Sequence, residues 1–279
     1  MKKGGFFISN WAYLIWFALY FTIVWLIIGE TWKGFLITTA IYAVFIGIAL
    51  SPLGEFLLRF LMGAKPPATQ REREFLLPLF EEVYEAALEN NPKLNKNIHV
   101  FITDDMYINA FAIGRQTVAV TRGLLETMNT EEIKGVLAHE FGHITHGDTK
   151  ALLLQNIGNG FFAIILAGIR MILRIIKVIC SSDEAIMGRI IVGIFEFILN
   201  IYVFLFVLLG DVILSLNSRR SEYLADGFAY NIGYGEHLIE ALYILQKMDM
   251  GQKIPLRAKI TASHPHLSAR IERLENMYE

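Results

Sequence analysis

His139-Glu140-Phe141-Gly142-His143 sets two imidazoles four residues apart, with a carboxylate directly after the first. On a helix, positions i and i+4 project from one face, so both rings can reach one metal ion while Glu140 points at its open coordination position. The flanking sequence predicts that helix. Thr130 reads as its N-cap, with Glu131 and Glu132 as an acidic first turn. Ile133, Val136, Leu137, Phe141 and Ile144 recur at helical spacing, and Gly147-Asp148 can close the element.

A catalytic zinc of this kind takes a third protein ligand from another element. Within Ser218-Arg219-Arg220-Ser221-Glu222-Tyr223-Leu224-Ala225-Asp226, the carboxylates of Glu222 and Asp226 are again i and i+4. One helix can therefore offer Glu222 as a ligand and Asp226 as acceptor for the spare ring N–H of a ligating histidine. His146 shares the face of His143, but it lies too far along a straight helix to join the same tetrahedral ion, and it reads as structural. His99, His237 and His266 have no partner at ligand spacing.

These strings resemble the membrane-bound HtpX-type heat-shock metalloproteases, relatives of the CAAX prenyl proteases. The likeness rests on HEFGH, on Arg219-x-x-Glu222-Tyr223-x-Ala225-Asp226, on Asn109-Ala110-Phe111-Ala112, on His264-Pro265 followed by Arg270-Ile271, and on the order of the hydrophobic segments. It implies zinc bound by His139, His143 and Glu222, with Glu140 activating water and Asp226 steadying a ligand histidine. It also implies that His264 stabilises the reacting carbonyl and that Asn109, Ala110, Phe111 and Ala112 form an edge strand on which an extended substrate lies. Members commonly carry a further basic residue where this chain has Ser221. The implied substrates are misfolded or damaged membrane proteins, in the setting of stress response and protein quality control.

Composition bounds the class independently. Hydrophobic residues make up 54% of the chain and the mean hydropathy is +0.44, with the apolar residues gathered in long runs. Residues 6–28 and 35–54 carry no charge, and each run is long enough to cross the hydrocarbon region as a helix. A second pair follows at 151–169 and 190–210, the latter with Glu196 alone as a charged residue. Glu222 must meet His139 and His143 on one side of the membrane, so the chain between them crosses twice or not at all. Lys2 and Lys3 before the first run, and Arg59, Lys65, Arg71 and Arg73 after the second, against Lys33 alone in the intervening turn, place the catalytic part on the cytoplasmic side. The resemblance implies that the membrane is a prokaryotic inner membrane. Arg170, Arg174, Lys177 and Arg189 give the tip of the second hairpin the opposite bias.

The expected architecture is a mainly α membrane protein: two hydrophobic helical hairpins plus an α+β zincin-like metalloprotease domain with a small sheet. The hairpins are residues 1–64 and 151–210, and the two parts of the protease domain are residues 65–150 and 211–279. Lys65-Pro66-Pro67-Ala68 reads as a stiff linker, and residues 71–90 as a charged amphipathic helix after an early Pro78. Residues 98–102 and 117–120 read as strands, with Gly114-Arg115-Gln116 as a turn before the second.

The expected partners are polypeptide substrates and the lipid bilayer. The near-neutral balance of −2, with basic residues flanking hydrophobic runs, gives nucleic-acid binding no support. The single cysteine, Cys180, excludes an internal disulfide and makes thiolate zinc chemistry a poor fit. Two other classes compete with the zinc endopeptidase. A membrane di-iron oxidoreductase could use the HxxxHxxH spacing of His139, His143 and His146, but seven mostly scattered histidines are too few. A non-catalytic membrane scaffold would have little reason to keep base, ligands and supporting carboxylate together.

Overall fold

A computed structural model describes residues 11–179, 186–249 and 266–279. Two apolar helices open the chain, α1 (Trp11–Ile28) and α2 (Trp32–Ala49), joined by a turn in which Gly29 takes a positive φ of 132°. Thr31 caps α2 by accepting the N–H of Gly34. A new helix, α3 (Pro52–Leu61), starts almost at once, because the Ser51 hydroxyl caps it and Pro52 suits the first helical position. The second uncharged run was expected to continue to residue 54. The helix instead breaks at Leu50–Ser51, and Glu55 with Arg59 turns the next element toward the protein.

The remaining elements are α4 (Gln70–Asn90), β1 (His99–Thr103), β2 (Ala110–Ile113), β3 (Thr117–Thr121), α5 (Arg122–Thr127), α6 (Thr130–His146), α7 (Asp148–Ile179), α8 (Ile186–Asn231), α9 (Gly235–Asp249) and α10 (Leu267–Glu275). The sheet has the order β1-β3-β2, with β3 central, parallel to β1 and antiparallel to β2. Gly114-Arg115-Gln116 is therefore the turn of the β2–β3 hairpin, and Gly114 supplies its positive φ of 60°. Lys65 is no free linker residue: its N–H and C=O bond to Ile102 at 2.9 and 2.7 Å, tying the segment after α3 to the β1 edge.

Helix α4 continues past Pro78, whose missing N–H leaves the exposed carbonyl of Glu74 to water. Its buried stripe of Leu76, Phe80, Val83 and Ala87 meets α6, where Tyr84 stacks on Phe141 at 5.4 Å between ring centroids. Leu238, Ala241 and Leu242 of α9 close the other side of the same core. The sequence expectation of a mostly helical chain with a small sheet is met.

Among the described residues, two helical stretches are long and apolar enough to cross a membrane, Trp32–Ala49 and Ile186–Leu209, with a shorter apolar stretch at Leu14–Leu26. Four such spans were expected. Residues 6–10 of the first lie outside the described residues. Much of the third, at residues 151, 152, 156–161, 164 and 165, lies outside the described side chains. Both candidate spans are little covered by the rest of the chain, unlike the core helix of a soluble protein. Trp16, Tyr20 and Phe162 bring α1 against α7, Tyr20 meeting Phe162 edge-on at 5.0 Å. The basic stripe on α7 is partly turned onto α8: Arg170 donates to Asn200 at 3.2 Å, and Lys177 pairs with Glu196 at 2.5 Å. Helix α8 continues unbroken through residue 210 and on to Glu222 and Asp226.

Candidate metal centre

Helix α6 is fixed at both ends. Its N-cap is Asn129, one residue before the expected Thr130, because the amide oxygen of Asn129 accepts from Glu131 and Glu132 at 2.9 and 3.0 Å while Glu132 accepts from the Asn129 N–H. Gly147, at φ 81°, ends the helix in the left-handed conformation that suits glycine. Between these caps the apolar positions bury one face against α4 and α9. His139 and His143 lie on the side facing α8.

The approach of α6 to α8 is made possible by Gly142. A Cβ there would meet Ala225 Cα at 2.7 Å. Ala225 lies between Glu222 and Asp226, so this close crossing delivers both carboxylates to the imidazoles. His139 Nε2 lies 3.2 Å from His143 Nε2, and Glu222 Oε2 and Oε1 lie 3.3 and 3.6 Å from those two nitrogens. Zinc bonds of about 2.1 Å at the tetrahedral angle require donor separations of about 3.4 Å. The three residues therefore have the donor types and mutual distances of a three-ligand zinc site.

The other ring nitrogens are held by carboxylates. His139 Nδ1 is 2.9 Å from Asp226 Oδ1, as the i, i+4 pairing of Glu222 and Asp226 anticipates, and His143 Nδ1 is 3.3 Å from Asp148 Oδ2. Each contact fixes the tautomer that leaves Nε2 free for a metal. Asp148 went unnoticed as a site residue, although a carboxylate just past the glycine that ends a ligand helix is a readable signal. Arg270 is the second omission. From α10 its guanidinium forks onto Asp226 at 2.6 and 2.9 Å and reaches Glu222 Oε2 at 2.9 Å. No local pattern announces a residue so distant in the chain, though it belongs to the string that carried the resemblance.

These contacts show in the proton affinities of the metal-free site. Burial is the largest influence on His139 and lowers its pKa, as does Arg270, yet the bonds to Asp226 and Glu222 outweigh them and hold the ring up to about 9. His143 moves the same way: burial lowers it most, and the contact with Asp148 together with the charges of Glu222 and Glu140 outweighs that. Burial would raise Asp226, but His139 and Arg270 hold its carboxyl below the ordinary range. A site that raises the proton affinity of two buried imidazoles is one in which a cation belongs.

Glu140 is buried beside these groups on α6. Asn109 to Ala112 lead into and occupy β2, which among the described residues pairs with β3 alone and packs against α6. Thr121 ties down the start of that strand, donating its N–H to the Asn109 carbonyl at 3.0 Å and accepting the Asn109 N–H on its hydroxyl at 3.0 Å. His264 lies outside the described residues. His146 bonds the Gly142 carbonyl of its own helix at 2.7 Å, so the HxxxHxxH spacing yields no third imidazole at the site.

Residues 78–278 match the family description Peptidase family M48. The chain belongs to this family. The same comparison with curated proteins finds Protease HtpX of Shewanella oneidensis, 30% identical over 273 residues that cover 88% of this chain and 90% of the relative. Protease HtpX of Shewanella pealeana is 32% identical over 268 residues, covering 88% and 89%. A protease HtpX homolog of Desulfotalea psychrophila is 34% identical over 198 residues, covering 64% and 66%. Among solved structures, S. mikatae Ste24p superposes with a TM-score of 0.53 at 20% identity over 91% of this chain. That match covers 61% of the longer Ste24p chain and speaks for the fold. The resemblance to HtpX-type proteases read from the motifs is borne out by these relatives.

Proposed function

We propose that this M48 protein is a membrane-anchored zinc endopeptidase that hydrolyses peptide bonds in misfolded or damaged membrane proteins, with its site facing the cytoplasm of a prokaryotic cell. The observation that carries the reading is the three-donor set of His139, His143 and Glu222 at tetrahedral spacing. In this reading residues 1–64 and 151–210 are two transmembrane hairpins, and residues 65–150 and 211–279 form the protease domain. The exposed apolar surfaces of α2 and α8 support membrane insertion. The basic flanks of the first hairpin support the orientation.

Zinc, when bound, would supply Lewis acidity at the scissile carbonyl and make water acidic enough to react near neutral pH. Glu140 takes the proton of the attacking water and returns it to the departing amine, so one carboxylate serves as base and then acid. Asp226 and Asp148 hold the ligand rings in place, and Arg270 neutralises the buried Asp226 and Glu222. The substrate backbone joins β2 as an added strand along Asn109, Ala110, Phe111 and Ala112, which sets its carbonyl beside α6. His264 serves as an additional donor to the developing oxyanion.

The test separates base from ligand. Glu140→Gln should keep one zinc per chain and lose casein cleavage, whereas Glu222→Gln should lose the metal. Wild-type cleavage by Glu140→Gln would refute its role as base, and unchanged zinc in Glu222→Gln would refute the ligand set.

A further inference from the structure

Helix α3 is built the opposite way round from an ordinary surface helix. Leu53, Phe56, Leu57, Phe60 and Leu61 recur at i, i+3, i+4, i+7 and i+8, so they form one stripe. That stripe points away from the protein: Phe56 is 55% exposed, Phe60 71% and Leu61 70%. The polar side faces inward. Glu55 is buried and accepts the backbone N–H groups of Arg115 and Gln116 in the β2–β3 turn at 2.6 and 3.3 Å. Arg59 donates to the Thr117 hydroxyl at 3.3 Å and lies over the Phe101 ring at 4.6 Å.

A contiguous apolar stripe left in water is costly, and nothing among the described residues covers this one. Its place in the chain says what does. Ala49 ends the candidate span Trp32–Ala49, and Ser51 with Pro52 starts α3 within three residues of that end. Ten residues rise only about 15 Å, too little to cross the hydrocarbon region. The stripe thus begins where the chain leaves the lipid, and it is too short to re-enter as a span.

We infer that α3 lies in the plane of the bilayer surface, with Leu53, Phe56, Leu57, Phe60 and Leu61 sunk among the lipid chains and Glu55 bolting the β2–β3 turn to it. The inference rests on the reading of α2 as a membrane span. The same turn is held from the other side by Thr149, whose hydroxyl donates to the Gly114 carbonyl at 2.5 Å, next to Asp148 and its ligand histidine. Lipid contact at α3 therefore fixes the height of the edge strand β2 and favours polypeptide segments lying against the membrane surface.

The test uses the full chain, with Cys180→Ser, in vesicles of phosphatidylcholine and phosphatidylglycerol. Nitroxide labels are placed singly at positions 53, 56, 60 and 61, with reference labels at 36 and 44 in α2 and at 81 on the exposed side of α4. The stripe labels should collide with oxygen and be shielded from an aqueous nickel chelate, as at 36 and 44. Free collision with the chelate, as at 81, overturns the inference while leaving the α2 reading intact. Shielding from both reagents overturns it in favour of a protein cover, and chelate access at 36 and 44 overturns the inference and the spanning reading together. In the same vesicles, Phe56→Ser with Phe60→Ser should lower cleavage of a bilayer-embedded reporter roughly tenfold relative to soluble casein. An equal loss on both substrates overturns the proposal.

Discussion

Replacing Gly142 with alanine would put a methyl group where α6 and α8 come closest, and the damage should fall on the metal site rather than on the fold. The new Cβ would meet Ala225 Cα at 2.7 Å and the Ala225 Cβ and carbonyl oxygen at 3.0 Å. Carbon atoms rest at about 3.5–4.0 Å, so the helices must part by about 1 Å. His139 and His143 share α6 and keep their spacing. Glu222 moves with α8, and its separations of 3.3 and 3.6 Å grow to about 4.3 and 4.6 Å, beyond the roughly 4.2 Å that two zinc bonds span even in a straight line. Zinc is then left with two imidazoles. The loss should exceed the roughly 10- to 100-fold that removing a hydrogen-bond partner of a ligand costs. Overpacking costs about 1–3 kcal/mol, and the better helix propensity of alanine offsets about 1 kcal/mol of that. Competition with a chromophoric chelator measures the affinity, and circular dichroism measures the fold. Gly227→Ala is the control, since a Cβ there meets only Met277 Cε at 3.9 Å. Gly142→Ala binding zinc within about twofold of the unaltered chain would refute the claim that this crossing sets the ligand geometry.

Asp148→Asn should weaken zinc binding by roughly 10- to 100-fold through loss of the charged partner of His143, and unchanged chelator competition would remove Asp148 from the site. Arg270→Leu leaves the buried Asp226 and Glu222 with His139 but without their guanidinium partner and should cost about 3–5 kcal/mol in chemical unfolding of the metal-free protein; a loss below about 1 kcal/mol would mean that water replaces the guanidinium. In the metal-free protein His139 is raised from 6.5 to about 9, so its charged form stabilises the fold fully below pH 6.5 and that contribution fades as pH climbs through 9. The unfolding temperature of chelator-treated protein should fall across that window, and a rise there would contradict the proposed pairing with Asp226 and Glu222.

The metal helix was legible because its information is local: four-residue spacing, a cap and a closing glycine all lie within twenty residues. Its start moved by one position because Asn129 and Thr130 are both competent caps, and only the geometry shows which oxygen meets two N–H groups. Strand β2 was not legible as a pattern. Four residues, Ala110 to Ile113, give too short a period for alternation to register, and only the resemblance pointed there. Hydrophobicity marked where α8 leaves an apolar environment, not where the helix ends, since backbone hydrogen bonding carries on through Asn217, Ser218 and Arg219. The partnership of Arg270 with Asp226 spans 44 residues of sequence and depends on how α10 docks, which no local rule encodes.

The continuity of α8 makes it a measuring rod. With Ile186–Leu209 in lipid, Glu222 follows 13 residues later on the same helix, a rise of about 20 Å along its axis. An extended chain advances about 3.3 Å per residue, so under the proposed function a substrate leaving the bilayer would have to pay out about six residues before a peptide bond reached the site. On the proposed function, polypeptides whose unfolded tails are shorter than that leash would stay out of reach, and the spacing of cuts from the lipid boundary would be a property of one helix.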